Sequence, residues 1–484
     1  MILNHYRSID SAIKEIENCT FHFAAREELN DPIEGYVRVF WQGDNAAWEG
    51  LFRNYICSLR HAITWYLLKG DEERIRQHSL LVDLHFFDKV PAGAILKELG
   101  DTFLQDEEVV KIAAFYGRHR LKVNKNELLL ILSHIHNRAL ILCLKSEQSH
   151  HLMPMAKAEY LIDNFSKFSG PPYPIEEMER LAELDQRVPL LKIAQEALES
   201  VCELSFIQHG FDDDSFLYGA RRDERGNVIH DTDITRARQH RNWMTVVTDF
   251  PKIYVDQLKD MVYPESYVVC FSKTDNNSVM WGNYADNHRG VCLKYETGAD
   301  NKLTVRGEHV YTEEVKPVRY GGEIIERNFF ETFGRLTYPQ IRTWLTGIDG
   351  LSGAYKAFSD EAAWRERYWE AYEAKTYRKL VDWQYEEEYR LALSNTFYTF
   401  SNPDSRNLRY NPKNLKGVVF GINTSEYDKK RVVEKLMRHA VEYEDFTFYQ
   451  AEYDEEKQSI RIHKKSLWDL SRFRNSYRQT GEDS

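Results

Sequence analysis

The chain has little with which to cross-link, anchor or cradle a phosphate. Only six of its 484 residues are cysteine, and Cys19, Cys57, Cys143, Cys202, Cys270 and Cys292 are scattered with no Cys-x-x-Cys pair. That excludes a zinc knuckle and a dense disulfide frame, and points to reduced thiols. No basic-then-apolar signal pattern opens the sequence, and no run of about 18 uninterrupted apolar residues occurs. The most apolar stretch, 128–144, is interrupted by His134, His136, Asn137 and Arg138. It predicts a buried core helix, and a cytoplasmic protein is expected. Excess basic charge is missing too: the net charge is -12, which argues against a nucleic-acid coat protein while leaving room for a local basic groove. There is no P-loop, no Gly-x-Gly-x-x-Gly, no His-Glu-x-x-His and no Gly-x-Ser-x-Gly.

Aromatic residues are abundant: 29 Tyr and 10 Trp bring aromatics to 13%, a composition suited to a rigid, Tyr-lined cleft. Hydrophobic content of 42% and charged content of 29% are ordinary for a globular chain. A chain of this length holds two or three structural units.

The pattern divides into six stretches. Residues 1–45 start with a strand at 2–8 and a helix through Ala12, Ile13 and Ile16, with Ser8 or Asp10 as N-cap. A β-prone run at 19–24 follows, ending at the turn signal Asn30-Asp31-Pro32. Residues 46–265 read as a helical block. Phe52, Tyr55, Ile56 and Leu59 share one helix face there, as do Leu191, Ala194, Ala197, Leu198, Val201 and Leu204. A Pro-rich stretch at 169–174 and a polar loop at 210–232 punctuate it. Residues 266–300 return to β, with strands at 267–272 and 291–296 around a short helix at 279–285. Residues 301–380 read as a second helical block. Residues 381–465 hold strands at 383–391, 415–421, 446–451 and 459–462 and an amphipathic helix from Glu426. Residues 466–484 are a polar tail. The economical fold is α+β: one discontinuous core with a mixed sheet, carrying a large all-helical insertion.

The chemistry concentrates at Trp383-Gln384-Tyr385-Glu386-Glu387-Glu388-Tyr389-Arg390. Read at period two, Glu386, Glu388 and Arg390 share one strand face. Two carboxylates on one face repel unless a cation, a sugar hydroxyl or a metal offsets them. A solvated acidic edge strand with Arg390 as counter-charge is the plainer reading. His134 and His136, two apart in a helical run, point to different faces and make a poor metal pair.

Four pieces in order resemble the DUF2971 family of bacterial proteins. They are His5-Tyr6-Arg7-Ser8; Phe23 through Asn30-Asp31-Pro32-Ile33-Glu34; Cys270-Phe271-Ser272 with Met280-Trp281-Gly282-Asn283-Tyr284-Ala285-Asp286-Asn287-His288-Arg289-Gly290; and the 383–390 run with Lys416-Gly417-Val418-Val419-Phe420-Gly421. The resemblance implies a toxin or anti-phage defence effector. The layout also resembles, more distantly, the ADP-ribosyltransferase superfamily. That likeness implies NAD as co-substrate, with no metal, and an ADP-ribosyltransferase-like core. His5 or Arg7 would be its first element, Ser272 its second and Glu386-x-Glu388 its third.

On that likeness Glu388 is the catalytic carboxylate that stabilises an oxocarbenium-like centre, and Glu386 serves the acceptor. Arg7 or His5 holds NAD, with Tyr6, Trp281 or Tyr284 stacking on a ring, and Asn30, Asp31 and Arg390 are further cleft candidates. The acceptor would be a protein or nucleic acid, or water, and the helical insertion is a candidate binding site for a regulatory protein. Two other classes stay open. A metal-dependent nuclease or phosphodiesterase would use Glu386, Glu388 and Asp31 as magnesium ligands. A non-enzymatic sensor or scaffold would keep the Glu-x-Glu run only as an ion-paired element.

Overall fold

A computed structural model describes residues 1–31, 33–67, 72–83, 91–150, 155–166, 173–183, 192, 245–396, 400–439, 442–443, 445 and 446–465. The helix face read at 191–204, the loop at 210–232, most of the Pro-rich stretch, Pro32, His151, Cys202 and the tail at 466–484 lie outside these residues. The chain divides into two compact units. One comprises Met1–Val37, Pro264–Ile325 and Trp369–Ser484; the other comprises Arg38–Tyr263 and Glu326–Tyr368.

The first unit is α+β and is built on a mixed eight-stranded sheet. Its strands are β1 (Ile2–Arg7), β3 (Ser266–Ser272), β4 (Val291–Glu296), β7 (Lys316–Pro317), β10 (Glu388–Ser394), β12 (Leu415–Phe420), β13 (Thr447–Asp454) and β14 (Ser459–Lys464). Their order is β14-β13-β12-β4-β1-β3-β10-β7, with β12 and β13 parallel and the other neighbours antiparallel. Alternation sorts the side chains into two cores. Leu3, Val291, Leu293, Tyr295, Val418 and Phe420 face one of them, packed under helix α1 (Ile9–Asn18) and helix α3 (Glu426–Arg438). Tyr6, Cys292 and Val419 face the other, packed under helix α2 (Ser278–Tyr284).

A second sheet of four strands joins β2 (Thr20–His22), β11 (Asn407–Tyr410), β5 (Lys302–Arg306) and β6 (Val310–Glu314). A parallel pair, β8 (Arg319–Tyr320) and β9 (Arg378–Lys379), completes the unit. Residues 302–320 are therefore strands, not part of a helical block. Their alternation, as in Leu303 and Val305 buried between exposed neighbours, is short and polar on one side, so charge density masks it.

The main sheet is split. β1 pairs with β4 along its whole length, but meets β3 at the single pair Asn4↔Ser272. Beyond that point β3 turns to Ala24, which bridges Val268. The two strands diverge and leave a gap in the middle of the sheet.

The second unit is mostly helical. Helix Asn45–Leu67 is its axis, and helices Pro91–Phe103, Glu107–His119, Lys125–Ser149 and Phe250–Leu258 pack on it. Trp48, Tyr55, Tyr116 and Tyr254 are fully buried in it. Helix Lys125–Ser149 is long and apolar enough to cross a membrane, yet 61% of its most apolar window is buried inside the protein, as a core helix requires. Its two histidines make separate contacts. His136 Nδ1 accepts from the Tyr55 hydroxyl at 2.8 Å and Nε2 donates to the Val246 carbonyl at 3.1 Å, while His134 meets Glu108. Burial pushes His136 down to about 4, so it stays neutral.

Candidate functional site

The gap between β1 and β3 is a cavity of about 260 Å³, lined by His5, Tyr6, Arg7, Asn30, Ser272, Tyr284, Glu386 and Glu388 together with Glu34, Cys270 and Lys379. All of these residues belong to the first unit.

On the β1 side, His5 and Arg7 point to the α1 face and converge on Glu15. His5 Nδ1 lies 3.0 Å from Glu15 Oε1, Arg7 Nε donates to Oε2 at 2.9 Å, and the Tyr295 hydroxyl donates to Oε1 at 2.7 Å. Burial lowers His5, and Arg7 beside it lowers it further, so the ring is neutral and donates its Nδ1 proton. Burial alone would raise Glu15; His5 and Arg7 instead hold it at about 2. A neutral imidazole contributes through its hydrogen bond, so Arg7 is the group that carries the charge. Only Nε of Arg7 is spent on Glu15, and its terminal nitrogens have no partner among the described residues. That leaves a guanidinium fork available for an anion.

On the β3 and β10 side the strand reading needs correction. Val381–Glu386 is a 3₁₀ turn, Glu387 is left-handed at φ 42°, and β10 starts at Glu388. Glu386 and Glu388 are thus not on one strand face; Glu388 and Arg390 are. Nor is the stretch a solvated edge, because β10 lies between β3 and β7 and both carboxylates are buried. The turn is fastened from below. Ser272 Oγ donates to the Glu386 carbonyl at 2.7 Å, and Asn277 Nδ2 donates to the Tyr385 carbonyl at 2.8 Å.

The two carboxylates meet through Lys379, which the sequence reading missed. Its Nζ donates to Glu386 Oε2 at 2.5 Å and to Glu388 Oε2 at 3.3 Å, and lies 3.7 Å from Glu34 Oε2. Arg390 grips Glu388 with both prongs, Nε to Oε1 at 2.7 Å and Nη2 to Oε2 at 3.0 Å. It also donates to the Thr376 carbonyl at 2.7 Å and pairs with Glu34. Burial would raise Glu388, but Arg390 and then Lys379 hold it at about 2. Glu386 is raised by burial, against the pull of Lys379 and of the Tyr284 hydroxyl that donates to it. Glu34 is raised by burial to about 7, with Arg390 opposing. The Cys270 thiol, opposite Arg390 in register, is raised by burial and by Glu388.

Tyr284 reaches Glu386 from the last residue of α2, which runs into an unusual turn. Asp286, Asn287 and His288 all have positive φ, and Gly290 follows where a Cβ would sit 2.1 Å from the Arg7 carbonyl. Only glycine permits that approach, which seats the end of α2 against β1.

Three proposed site residues, Trp281, Asp31 and Arg390, stand outside the cavity lining. Trp281 is fully buried, edge-on to Tyr6, with its indole donating to the Asp275 carbonyl at 2.8 Å; it is core, not a stacking surface. Tyr6 itself spends its hydroxyl on the Thr274 carbonyl at 2.9 Å. Asp31 Oδ1 accepts from the Ile33 amide at 2.9 Å, capping its own turn outside the cavity lining, so Glu386, Glu388 and Asp31 do not form one ligand set there. Among the described residues no group of three His, Cys, Asp or Glu is arranged to hold a metal ion. Arg390 lies behind Glu388 and does not line the cavity. Ser272 does line it, but its hydroxyl is committed to the turn. Of the missed residues, Glu15 carries a local signal, a carboxylate next to the apolar face of Ala12, Ile13 and Ile16, ahead of which β1 offers His5 and Arg7. Glu34 and Lys379 carry none beyond their type.

Residues 280–391 match a family model described as a protein of unknown function (DUF2971). The match covers under a quarter of the chain and bears out the DUF2971 resemblance. It takes in α2 from Met280 onward, its left-handed turn, β4, Lys379 and the start of β10, and so includes Tyr284, Glu386, Glu388 and Arg390. No curated protein and no solved structure matches the chain.

Proposed function

Taking this DUF2971 segment as the premise, we propose that the protein consumes NAD on an ADP-ribosyltransferase-like core, cleaving the nicotinamide–ribose bond in the split-sheet cavity. The observation that carries the reading is one cavity edged by two differently tuned carboxylates. Glu388 is held ionised by Arg390, and Glu386 is raised by burial. Arg7, with its free fork on the β1 side, supplies the anion contact a pyrophosphate needs.

In this reading the C–N bond breaks and its electron pair leaves with the nicotinamide nitrogen, which becomes neutral. The positive charge passes to C1′ and its ring oxygen, where the fixed Glu388 charge stabilises it. The acceptor's lone pair then forms the new bond at C1′, and its proton passes to Glu386. Tyr284 and Lys379 hold Glu386 in place. A cavity of about 260 Å³ suits the nicotinamide riboside end alone; whole-ligand sites run to ~300–1,000 Å³. The adenylate end then lies outside, past Arg7.

The test is nicotinamide release from NAD by the purified protein, with and without cell lysate, while adenylate label is traced to protein, RNA, DNA or free ADP-ribose. The reading expects release with label in one of these fractions. No release above buffer under either condition ends it.

A further inference from the structure

The cluster on the β10 side does not balance its charges. Three carboxylates, Glu34, Glu386 and Glu388, share two cations, Lys379 and Arg390. All five side chains are buried. A buried surplus of one negative charge is costly, so the cluster must either take up a proton or receive a cation. The β1 side shows no such surplus, because Glu15 is matched by Arg7.

We propose that the cavity selects a positively charged ring, such as a pyridinium, over its neutral counterpart, and that its entry displaces a proton from Glu34. This rests on the reading above for the identity of the substrate, but the coupling follows from the geometry alone. Glu34, Glu386 and Glu388 all line the cavity, whereas Arg390 does not. A cation placed there faces the carboxylates of Glu28, Glu34, Glu386 and Glu388 against the Lys379 ammonium and the Arg7 guanidinium, which Glu15 already offsets.

Glu34 is the member that gives up the proton. Arg390 and Glu388 from β10, Lys379 from β9 and Cys270 from β3 face it, Asp31 sits on its own turn, and Glu386 reaches it through Lys379. Glu388 is claimed by both prongs of Arg390 and stays ionised, and Glu386 accepts from Lys379 and Tyr284. Glu34 has only ion-pair contacts, and its carboxyl sits at about 7. An arriving cation does the work of the proton, so binding releases that proton and strengthens as pH rises.

The probes are 1-methylnicotinamide, a cation, and nicotinamide, its neutral near-isostere. Their binding to the full chain is measured by titration calorimetry from pH 5.5 to 8.5, in two buffers of different ionisation enthalpy. The cation is expected to bind about tenfold or more tightly than the neutral probe. Its affinity should fall about tenfold per pH unit below about 7 and level off above, with nearly one proton released at pH ~6 and little at pH ~8. Glu34→Gln should lose the proton release and most of the preference for the cation. Equal affinity for the two probes, cation binding without proton release in the wild type at pH ~6, or binding of neither probe overturns the proposal. The two readings fail separately. NAD cleavage without proton-linked cation binding sinks this inference alone. Proton-linked cation binding without NAD cleavage sinks the NAD reading and leaves this one standing.

Discussion

The two sides of the cavity are built from the same parts and behave differently. At Glu15 one carboxylate meets one guanidinium, with neutral His5 and Tyr295 filling its remaining sites. At Glu34, Glu386 and Glu388 three carboxylates compete for two cations. The matched site pins its carboxylate at about 2. The unmatched site holds one member low, Glu388, and pushes the other two up. Glu15, Glu34, Glu386 and Glu388 are all buried, and what separates an anchor from a responsive site is how fully cations offset that burial.

The largest effect is expected at Arg390, the cation shared by Glu34 and Glu388. Arg390→Met strands Glu388 and Glu34 together in the interior, and should cost roughly 3–5 kcal/mol in urea unfolding of the sheet-bearing unit. A cost under ~1 kcal/mol would mean the cluster is not held as described. The anchor comes next. Glu15 lies below its ordinary value of 4.5, at about 2. Its stabilisation is therefore fully present above pH 4.5 and lost as pH falls through about 2. Glu15→Gln should lose roughly 3 kcal/mol at neutral pH, and the gap to wild type should close under acid.

Glu34 has the opposite sign. Its carboxyl is raised from 4.5 to about 7, so its contribution is full below pH 4.5 and lost as pH rises through about 7. Glu34→Gln should gain on the wild type across that window by roughly 2 kcal/mol, water in the cavity trimming the full effect. A constant offset between the two proteins would contradict the assignment. The smallest effect belongs to Tyr284→Phe, which removes one donor from Glu386. It should cost about 1 kcal/mol and move any Glu386-dependent limb of the pH–rate profile to higher pH.

Part of this was legible in the sequence. The strands at 267–272 and 291–296 announce themselves through Val268, Val269, Val291 and Leu293, and the helix of Trp281 and Tyr284 sits where its spacing places it. The face shared by Glu388 and Arg390 was also readable at period two, because β10 is a regular strand from Glu388 onward. Glu386 was not. The run Trp383-Gln384-Tyr385-Glu386-Glu387 contains neither Gly nor Pro, so nothing local marks a 3₁₀ turn that closes on a left-handed glutamate. Trp281 and Tyr284 enter as stacking rings through the ADP-ribosyltransferase likeness, while their helical spacing favours core packing over cleft lining for both. Only the fold tells which of the two faces the gap. Lys379 and Glu34 join the cluster across the chain: Lys379 sits on a two-residue strand and Glu34 in a turn, neither of which leaves a periodic trace. The split between β1 and β3 depends on Ala24 bridging Val268, a long-range pairing with no local signature.

The most direct measurement of the central claim is nicotinamide release from NAD by wild type and by Glu388→Gln, with circular dichroism and thermal melting confirming that both are folded. Release by the wild type is expected, with a fall of about 10²–10³-fold in the variant, the scale of losing one fixed stabilising charge. A folded variant as active as the wild type, or a wild type that releases no nicotinamide, would contradict that claim.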